Sequence, residues 1–268
     1  MTEIYCTATM HYARGALEVE PVEVSIRNGR TVDHLAWETQ GFELLAHTPS
    51  VSEWDNAPHI ETDHYPEMED LARELSGCDH ALIAGHIHRN PSAAARHLDF
   101  APIQYVHSDF THTYGDLVRQ RYLNSEPATE QALTRAGLTP DAVSEARRIM
   151  ILQFWRNIGP QAADLPLAFC DAQTVPDEDL ISFHVPEYGG EAIPFDTFGV
   201  RNPEHREHAW YTFPAMTEQE VVAFRTYDSE LADQGGSFWT PHSAFADPIV
   251  SEPQPRASIE LRATCLFF

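Results

Sequence analysis

The sequence predicts a mainly β protein with flanking helices (α+β), in which the strands form a β-sandwich or jelly roll. The second half of the chain consists mostly of apolar, strand-like segments joined by loops of uneven length, without the regular strand and helix alternation of a doubly wound sheet. Of the 268 residues, 43% are hydrophobic, including 14 Phe, 9 Tyr and 5 Trp, which suffices for one large core. We expect a single domain over 1–268, with an N-terminal α/β elaboration in 1–100 and the jelly-roll core in 101–268.

Local patterns predict several elements in the first part of the chain. Residues 22–26 alternate between apolar and polar side chains, which is typical of a half-buried strand. Residues 66–75 predict a helix, because proline stands at the first position, acidic residues follow, and Gly77 provides a stop signal. The segments 81–88 and 103–109 predict strands, and both carry histidines.

The remaining elements follow a similar logic. Residues 139–148 predict a capped helix. The apolar run 149–155 that follows it suits a central strand, buried on both faces. Later strands are predicted at 209–213, 221–227 and 257–267.

The charged residues exclude several classes of protein. The chain has 17 basic side chains, all of them arginine, against 41 acidic ones, for a formal net charge of −24. Without lysine it cannot be a P-loop enzyme, a protein kinase, a Schiff-base enzyme or an SxxK acyl-transferase. The acidic excess disfavours nucleic acid and anionic membranes as partners, because both are recognised through basic side chains. A small-molecule substrate is therefore expected.

The cysteines and the amino-terminal residues predict an intracellular setting. The first residues do not resemble a basic region followed by an apolar signal segment, and no apolar run is long enough to span a membrane, so we expect a soluble, cytoplasmic protein. The cysteines form no CxxC pair and are expected to be buried, reduced thiols; they are Cys6, Cys78, Cys170 and Cys265.

Two residues of the predicted strand 103–109 are candidate metal ligands. His107 and Asp109 are two positions apart, so their side chains point to the same face of the strand. A second histidine beside them would complete the facial triad of two His and one carboxylate, which holds iron and leaves positions open for cosubstrate and oxygen. His242 is the predicted third ligand because of the residues that follow it.

Those residues predict a site for a carboxylate. Arg256 and Ser258 lie on the last predicted strand, where positions 256, 258, 260 and 262 share one face. Arg256 is expected to bind the distal carboxylate of 2-oxoglutarate in a bidentate pair, with a further hydrogen bond from the Ser258 hydroxyl. The 2-oxo acid end is then left to chelate the metal. Arg262, on the same face, is the alternative partner of the cosubstrate.

These motifs belong to a wider set of segments in which the chain resembles a known family. The segments include the His-Ser-Asp at 107–109 and the Arg-Ala-Ser at 256–258; together they are 41–44, 65–69, 107–109, 154–160, 166–172, 210–211, 227–229, 241–245 and 256–262. In them, and over most of its length, the chain resembles the CmcJ-like family of Fe(II)/2-oxoglutarate-dependent oxidoreductases.

The resemblance implies a double-stranded β-helix core, a cupin-like jelly roll. It also implies an enzyme that uses Fe(II), 2-oxoglutarate and O2 to oxidise an unactivated carbon of a small specialised metabolite, by hydroxylation, desaturation or oxidative ring formation. Carried over by position, His107, Asp109 and His242 would hold the iron. Arg256 and Ser258 would hold the cosubstrate.

Other side chains are candidates for binding cosubstrate or substrate. Arg156 lies in a strongly apolar segment, where a buried arginine needs an anionic partner: the cosubstrate, a substrate carboxylate or Asp171. It is therefore included among the cofactor-binding candidates. Aromatic and histidine side chains near the predicted ligands are expected to line an apolar substrate pocket; they are Trp155, Trp210, Tyr211, Phe110 and His88.

Two alternatives to an oxygenase remain at this stage. A zinc-dependent hydrolase could use the same His-Asp-His site, because a zinc ion with three protein ligands activates water. That alternative leaves Arg256 and Ser258 unexplained. A non-catalytic, acidic β-sandwich that binds a partner protein fits the composition but predicts no convergence of the histidines. The expected assembly is a monomer or a homodimer.

Overall fold

The computed structural model describes residues 3–15, 18–124 and 126–268. In these ranges the strands are β1 Ile4–Ala13, β2 Val19–Asn28, β3 Phe42–Ala46, β4 His80–Arg89, β5 His107–Ser108, β6 Arg148–Asn157, β7 Leu167–Cys170, β8 Leu180–Val185, β9 Phe195–Val200, β10 Trp210–Thr212, β11 Glu220–Asp228, β12 His242–Ala244 and β13 Ser258–Phe267. The α-helices are α1 Ala57–His59, α2 Tyr65–Ser76, α3 Pro91–Arg96, α4 Tyr114–Leu123, α5 Pro127–Ala136, α6 Pro140–Glu145 and α7 Ser229–Asp233.

The strands form two sheets. The eight-stranded sheet has the order β1-β2-β10-β7-β12-β5-β9-β8, and the five-stranded sheet has the order β3-β11-β6-β13-β4. All neighbouring strands run antiparallel except β10 and β2, which are parallel. The sheets face each other, because side chains of β6 and β11 contact residues next to or within β5 and β12. This is the architecture of a jelly roll.

The centre of the five-stranded sheet is buried on both faces. Along β6, every residue after Arg148 is buried. One face packs against α2 and includes Leu152, Phe154 and Ile259. The opposite face points between the two sheets and carries Gln153 beside β5. A strand covered on both sides explains why 149–155 is apolar almost throughout.

The local predictions agree with the structure at most elements and differ at their ends. The predicted helix 66–75 is α2, and Gly77 ends it in the left-handed conformation, with φ of 67°. The helix predicted at 139–148 ends earlier, at Glu145, because β6 begins at Arg148. The strand predicted at 103–109 is reduced to His107–Ser108, because these residues form a continuous ladder, whereas Tyr105 makes only an isolated bridge to His11.

The first hundred residues are more than an addition to the core. They supply β1 and β2 to the eight-stranded sheet and β3 and β4 to the edges of the five-stranded sheet. Both sheets therefore contain strands from each side of the boundary expected near residue 100.

All four cysteines are buried and free, as the sequence predicts. In the described ranges, each helix is too short or too polar to cross a membrane.

A glycine at the start of β3 supports the segment that leads into β12. Gly41 has a φ of 95°, and a Cβ atom at this position would lie 2.3 Å from Oγ1 of Thr240. The Thr240 hydroxyl donates to the Gly41 carbonyl at 3.0 Å. Because the carbonyl of Thr240 in turn accepts a hydrogen bond from His242, the glycine lies close to a residue of the candidate site.

We predict that Gly41→Ala lowers the free energy of unfolding by about 2–5 kcal/mol. Two costs add together: alanine is strained in the left-handed backbone conformation, and its Cβ clashes with Thr240. Gly235→Ala is the matched control: Gly235 has a φ of 71°, but no atom lies within 4 Å of its added Cβ. The control should lose only about 1–2 kcal/mol, the cost of the backbone conformation. Denaturant unfolding of both variants measures the difference, and equal losses would show that the contact with Thr240 is unimportant.

Candidate metal centre and active site

The predicted ligands come together between the sheets. His242 of β12 is directly opposite His107 of β5, and their ring centroids are 4.4 Å apart. Nε2 of His107 lies 3.6 Å from Oδ1 of Asp109. One ligand atom from each of the three side chains lies within 4.8 Å of the other two. The structure thus brings the three residues into an arrangement that could hold one metal ion.

The two imidazoles are oriented by the backbone. Nδ1 of His107 lies 2.7 Å from the carbonyl oxygen of Tyr105, and Nδ1 of His242 lies 3.0 Å from that of Thr240. A carbonyl only accepts, so each Nδ1 carries the proton and each Nε2 keeps its lone pair. This is the tautomer that a metal ligand requires.

Burial keeps both imidazoles uncharged. Burial, together with the neighbouring His242, lowers the pKa of His107 to about 4. Burial also lowers the pKa of His242 below its ordinary value. Neutral imidazoles are the form that binds a metal ion, so no proton has to leave them at neutral pH.

Asp109 is held as a carboxylate by the facing sheet. Burial alone would raise its pKa, but the charge of Arg262 and the hydrogen bond from Gln153 hold it well below the usual range. The side-chain amide of Gln153 donates to Oδ2 of Asp109, and Nη2 of Arg262 lies 3.4 Å from the same oxygen. Oδ1, the oxygen nearer to His107, is left for a metal ion.

Arg256 is buried without a carboxylate partner. Its Nη1 donates to the carbonyl of Leu165 at 2.8 Å, its Nε has no partner, and its Cζ lies 5.6 Å from the ring centroid of Trp155. Burial and the charge of Arg89 lower the pKa of Arg256 to about 9. A buried guanidinium in this position fits an anionic ligand. Ser258 is also buried and begins β13, two residues after Arg256.

Arg262 has protein partners already. Its Nη2 lies 2.9 Å from Glu260 and 3.4 Å from Asp109, and its guanidinium lies over the ring of Phe110. Its contact with Asp109 makes it a positioning residue for that ligand. These contacts favour Arg256 over Arg262 as the partner of a cosubstrate.

Arg156 and His88 point away from the candidate site. Arg156 is opposite Ile259, on the face of the sheet that packs against α2, and donates to the carbonyl oxygens of His47 and Glu218 at 2.9 and 2.6 Å. On the other side of β13, His88 of β4 is paired with the same Ile259. Its side chain lies 3.7 Å from Asp55. Strand alternation therefore directs both side chains to the face opposite the candidate ligands.

A cavity of about 450 Å³ opens beside His107 and Asp109. Its size is within the range of small-molecule sites. Arg262, Arg89 and Tyr188 contribute polar groups to its wall. The apolar part of the wall includes Ala84, Ile87, Ile103, Phe110, Tyr114 and Phe195.

Of the aromatic residues predicted to bind substrate, Phe110 alone lines this cavity. Trp155 packs under Arg256 instead. Trp210 is fully buried and donates to the hydroxyl of Tyr12 at 2.7 Å. Tyr211 stacks near Phe42 in a separate cluster. Their proximity to the ligands in sequence did not indicate the direction of their side chains.

Some residues of the site were not identified from the sequence. Gln153 was detectable, because it is the one polar side chain in the apolar run 149–155. Tyr188 and Tyr114 reach the cavity from a loop and a helix that no periodic pattern connects to the ligands. Their positions depend on tertiary packing alone.

Two histidines and one carboxylate inside a jelly roll, next to an apolar cavity, define the class of mononuclear non-haem metal enzymes. A family model described as "Oxidoreductase/YMDC permease-like domain" matches residues 3–266. The chain belongs to this oxidoreductase family.

Individual relatives agree with this assignment. The hydroxylase/desaturase efuI of Hormonema carpetanum is 30% identical over 283 residues, which cover 97% of this chain and 87% of that protein. The alpha-ketoglutarate-dependent dioxygenase phiK of Fungal sp. (strain ATCC 74256) is 24% identical, over 96% of this chain and 88% of that protein. The solved structure of NvfI, an iron and alpha-ketoglutarate-dependent endoperoxidase, has the same fold, with a TM-score of 0.77 at 20% identity over 98% of each chain.

These matches confirm three predictions made from the sequence. The chain is a member of the CmcJ-like oxidoreductases, its core is a double-stranded β-helix, and it is an enzyme of the oxygenase class.

We predict that a divalent metal ion binds at pH 6 with little release of protons. Two ordinary imidazoles with a pKa near 6.5 would together release about 1.5 protons at this pH. With a pKa of about 4, His107 is already neutral, and the lowered pKa of His242 means that it carries less than its ordinary share of protons, so fewer than about one should leave. Calorimetric titration with Mn(II), in buffers of different ionisation enthalpy, counts the protons. A release near 1.5 would contradict the burial of neutral imidazoles.

Proposed function

We propose that this oxidoreductase is an Fe(II)/2-oxoglutarate-dependent dioxygenase whose iron is held by His107, Asp109 and His242. The observation that carries the proposal is the convergence of two neutral imidazoles and a carboxylate in the same interior as Arg256, a buried arginine without a carboxylate partner. A metal site alone would fit several chemistries. A separate site for an anion favours a chemistry that requires an acidic cosubstrate.

The donor set fits Fe(II). Two imidazole nitrogens and one carboxylate oxygen are the ligands of a facial triad, which leaves further positions for other ligands. The backbone carbonyls fix the imidazoles, and Gln153 fixes Oδ2 of Asp109, so the ligand atoms are arranged before a metal binds. When bound, Fe(II) supplies the redox chemistry that couples the oxidative decarboxylation of 2-oxoglutarate to the oxidation of a substrate.

The cosubstrate is assigned to Arg256 and Ser258. The guanidinium of Arg256 provides unpaired donors for a carboxylate, and Ser258 adds a hydroxyl from the same strand face. Trp155 packs against the guanidinium and keeps water from this side. Arg156 and Arg262 are left out of the cosubstrate site because Arg156 points to the other face of the sheet and the charge of Arg262 is paired with Glu260 and Asp109.

The substrate is assigned to the cavity beside His107 and Asp109. Its mostly apolar wall excludes water and fits the carbon skeleton of a small specialised metabolite. Phe110 and Tyr114 stack with ring centroids 3.5 Å apart and form one rigid side of it. Hydroxylation, desaturation or oxidative ring formation at an unactivated carbon fits this arrangement. Action on a free metabolite in the cytoplasm, by a monomer or homodimer without nucleic acid or membrane partners, is part of the proposal.

Anaerobic titration tests the proposed cofactors. We predict that Fe(II) followed by 2-oxoglutarate produces a visible metal-to-ligand charge-transfer band in the wild-type protein, because a chelating 2-oxo acid and Fe(II) share the site. His242→Ala should lose both iron binding and the band, since two ligands cannot hold the metal against water. A protein that binds Zn(II), shows no band and hydrolyses esters or amides would favour a hydrolase instead.

Two arginine variants test the cosubstrate site. Arg256→Ala should lower the affinity for 2-oxoglutarate by about 1.5–3.5 orders of magnitude, because a buried anion loses its partner at a cost of about 2–5 kcal/mol. Iron binding should persist, since Arg256 is not a ligand. Ser258→Ala should cost only about 0.5–1.5 kcal/mol. Arg262→Ala is the comparison and should weaken iron binding first, because Arg262 holds Asp109. If Arg262→Ala instead lowered the affinity for 2-oxoglutarate and Arg256→Ala weakened iron binding, Arg262 would be the cosubstrate anchor and Arg256 the positioning residue.

A further inference from the structure

Arg89 is a second buried arginine close to Arg256. It ends β4, directly opposite Ser258 of β13, and is 6% exposed. Strand alternation therefore directs it to the interior face that Ser258 shares, whereas its neighbour His88 points to the opposite face. Arg89 also contributes to the wall of the cavity beside His107.

Neutral oxygens hold Arg89 in place. Its Nη1 donates to the carbonyl oxygens of Asp99 and Ala101, the latter at 3.0 Å, and its Nη2 donates to the hydroxyl of Tyr188 at 2.8 Å. Among the residues that the structure describes, no carboxylate lies within salt-bridge distance of this guanidinium. Arg89 is thus fixed in position before a ligand binds, while its charge is not neutralised.

The other arginines in or near the interior differ from this pair. Arg225 donates to four backbone carbonyls, and Arg156 donates to three carbonyls and a histidine. Arg262 has Glu260 and Asp109 as partners. By contrast, the guanidinium of Arg256 makes one hydrogen bond, and its charge and that of Arg89 repel each other. Two adjacent buried cations with unused donors need an anion from outside the protein.

We propose that Arg89 and Arg256 together bind the distal carboxylate of the 2-oxo acid cosubstrate, so that Arg89 is a second anchoring residue of that site. The inference depends on the proposed function and makes it more specific. Each guanidinium contributes donors to the same carboxylate, and Ser258 links them, because it is paired with Arg89 and follows Arg256 by two residues. The site therefore selects a dicarboxylate 2-oxo acid and discriminates against one that ends in a methyl group.

The test compares 2-oxoglutarate with 2-oxopentanoate, which keeps the 2-oxo acid end but lacks the distal carboxylate. Both are titrated anaerobically into the Fe(II)-loaded protein, with the charge-transfer band and the heat of binding as readouts. Arg89→Gln should lower the affinity for 2-oxoglutarate by about 10- to 100-fold. The affinity for 2-oxopentanoate should not change, because the group that Arg89 contacts is missing.

Additional variants separate a contact from a loss of structure. Arg156→Gln is the matched control: it removes a buried arginine on the other face of the sheet and should leave both affinities unchanged. Arg89→Lys retains a positive charge and should recover part of the loss. In the double variant with Arg256→Gln, the two effects should be non-additive, because both arginines contact one group. Iron binding and thermal unfolding report whether each variant is folded, and Arg89→Lys alone carries the ligand comparison if Arg89→Gln does not fold.

The outcomes distinguish this inference from the proposed function. A wild-type protein without a charge-transfer band contradicts the proposed function itself. A wild-type band together with an unchanged 2-oxoglutarate affinity in the Arg89 variants overturns the role of Arg89 alone. An equal loss for both ligands also overturns it, because Arg89 would then act on the 2-oxo acid end or on the fold.

Discussion

The pairing of β12 with β5 is the contact on which the candidate site depends, because it places His242 opposite His107. The two strands have three and two residues, too few for a stable ladder of their own. They are held from outside, where β7 pairs with β12 and β9 pairs with β5. The distance between the two imidazoles is therefore a property of the whole eight-stranded sheet.

The second sheet completes the site by neutralising and orienting Asp109. A buried carboxylate is costly unless hydrogen bonds and charges compensate it, and both kinds of partner come from the five-stranded sheet. Gln153 of β6 and Arg262 of β13 both reach Oδ2. The ligands thus belong to one sheet, while the groups that orient the carboxylate belong to the other, so the metal site requires that the sheets be correctly packed.

Local spacing predicted the parts of the site that lie within one strand, and failed where two strands must meet. His107 and Asp109 follow from strand alternation alone, whereas the choice of His242 depended on the residues after it and on the family resemblance. The sequence did not indicate that Arg156 lies on the face away from the candidate ligands, because β6 is buried on both faces and its apolar residues do not distinguish the two sides. The strands of the first hundred residues pair with distant segments, as β2 does with β10, and no local pattern contains that information.

The distribution of charge along and just before β13 gives Arg256 and Arg262 different surroundings. Glu260 and Arg262 share one face of β13 and lie roughly 7 Å apart along it, at about 3.3 Å per residue, whereas Arg256 precedes the strand by two residues. Glu260 accordingly pairs with Arg262, at 2.9 Å. Arg256 is left without a carboxylate, and the nearby charge of Arg89 adds to the cost of burying it. Under the proposed function, a ligand that brings a negative charge to this end of the strand would offset this cost, and its binding would therefore stabilise the folded core.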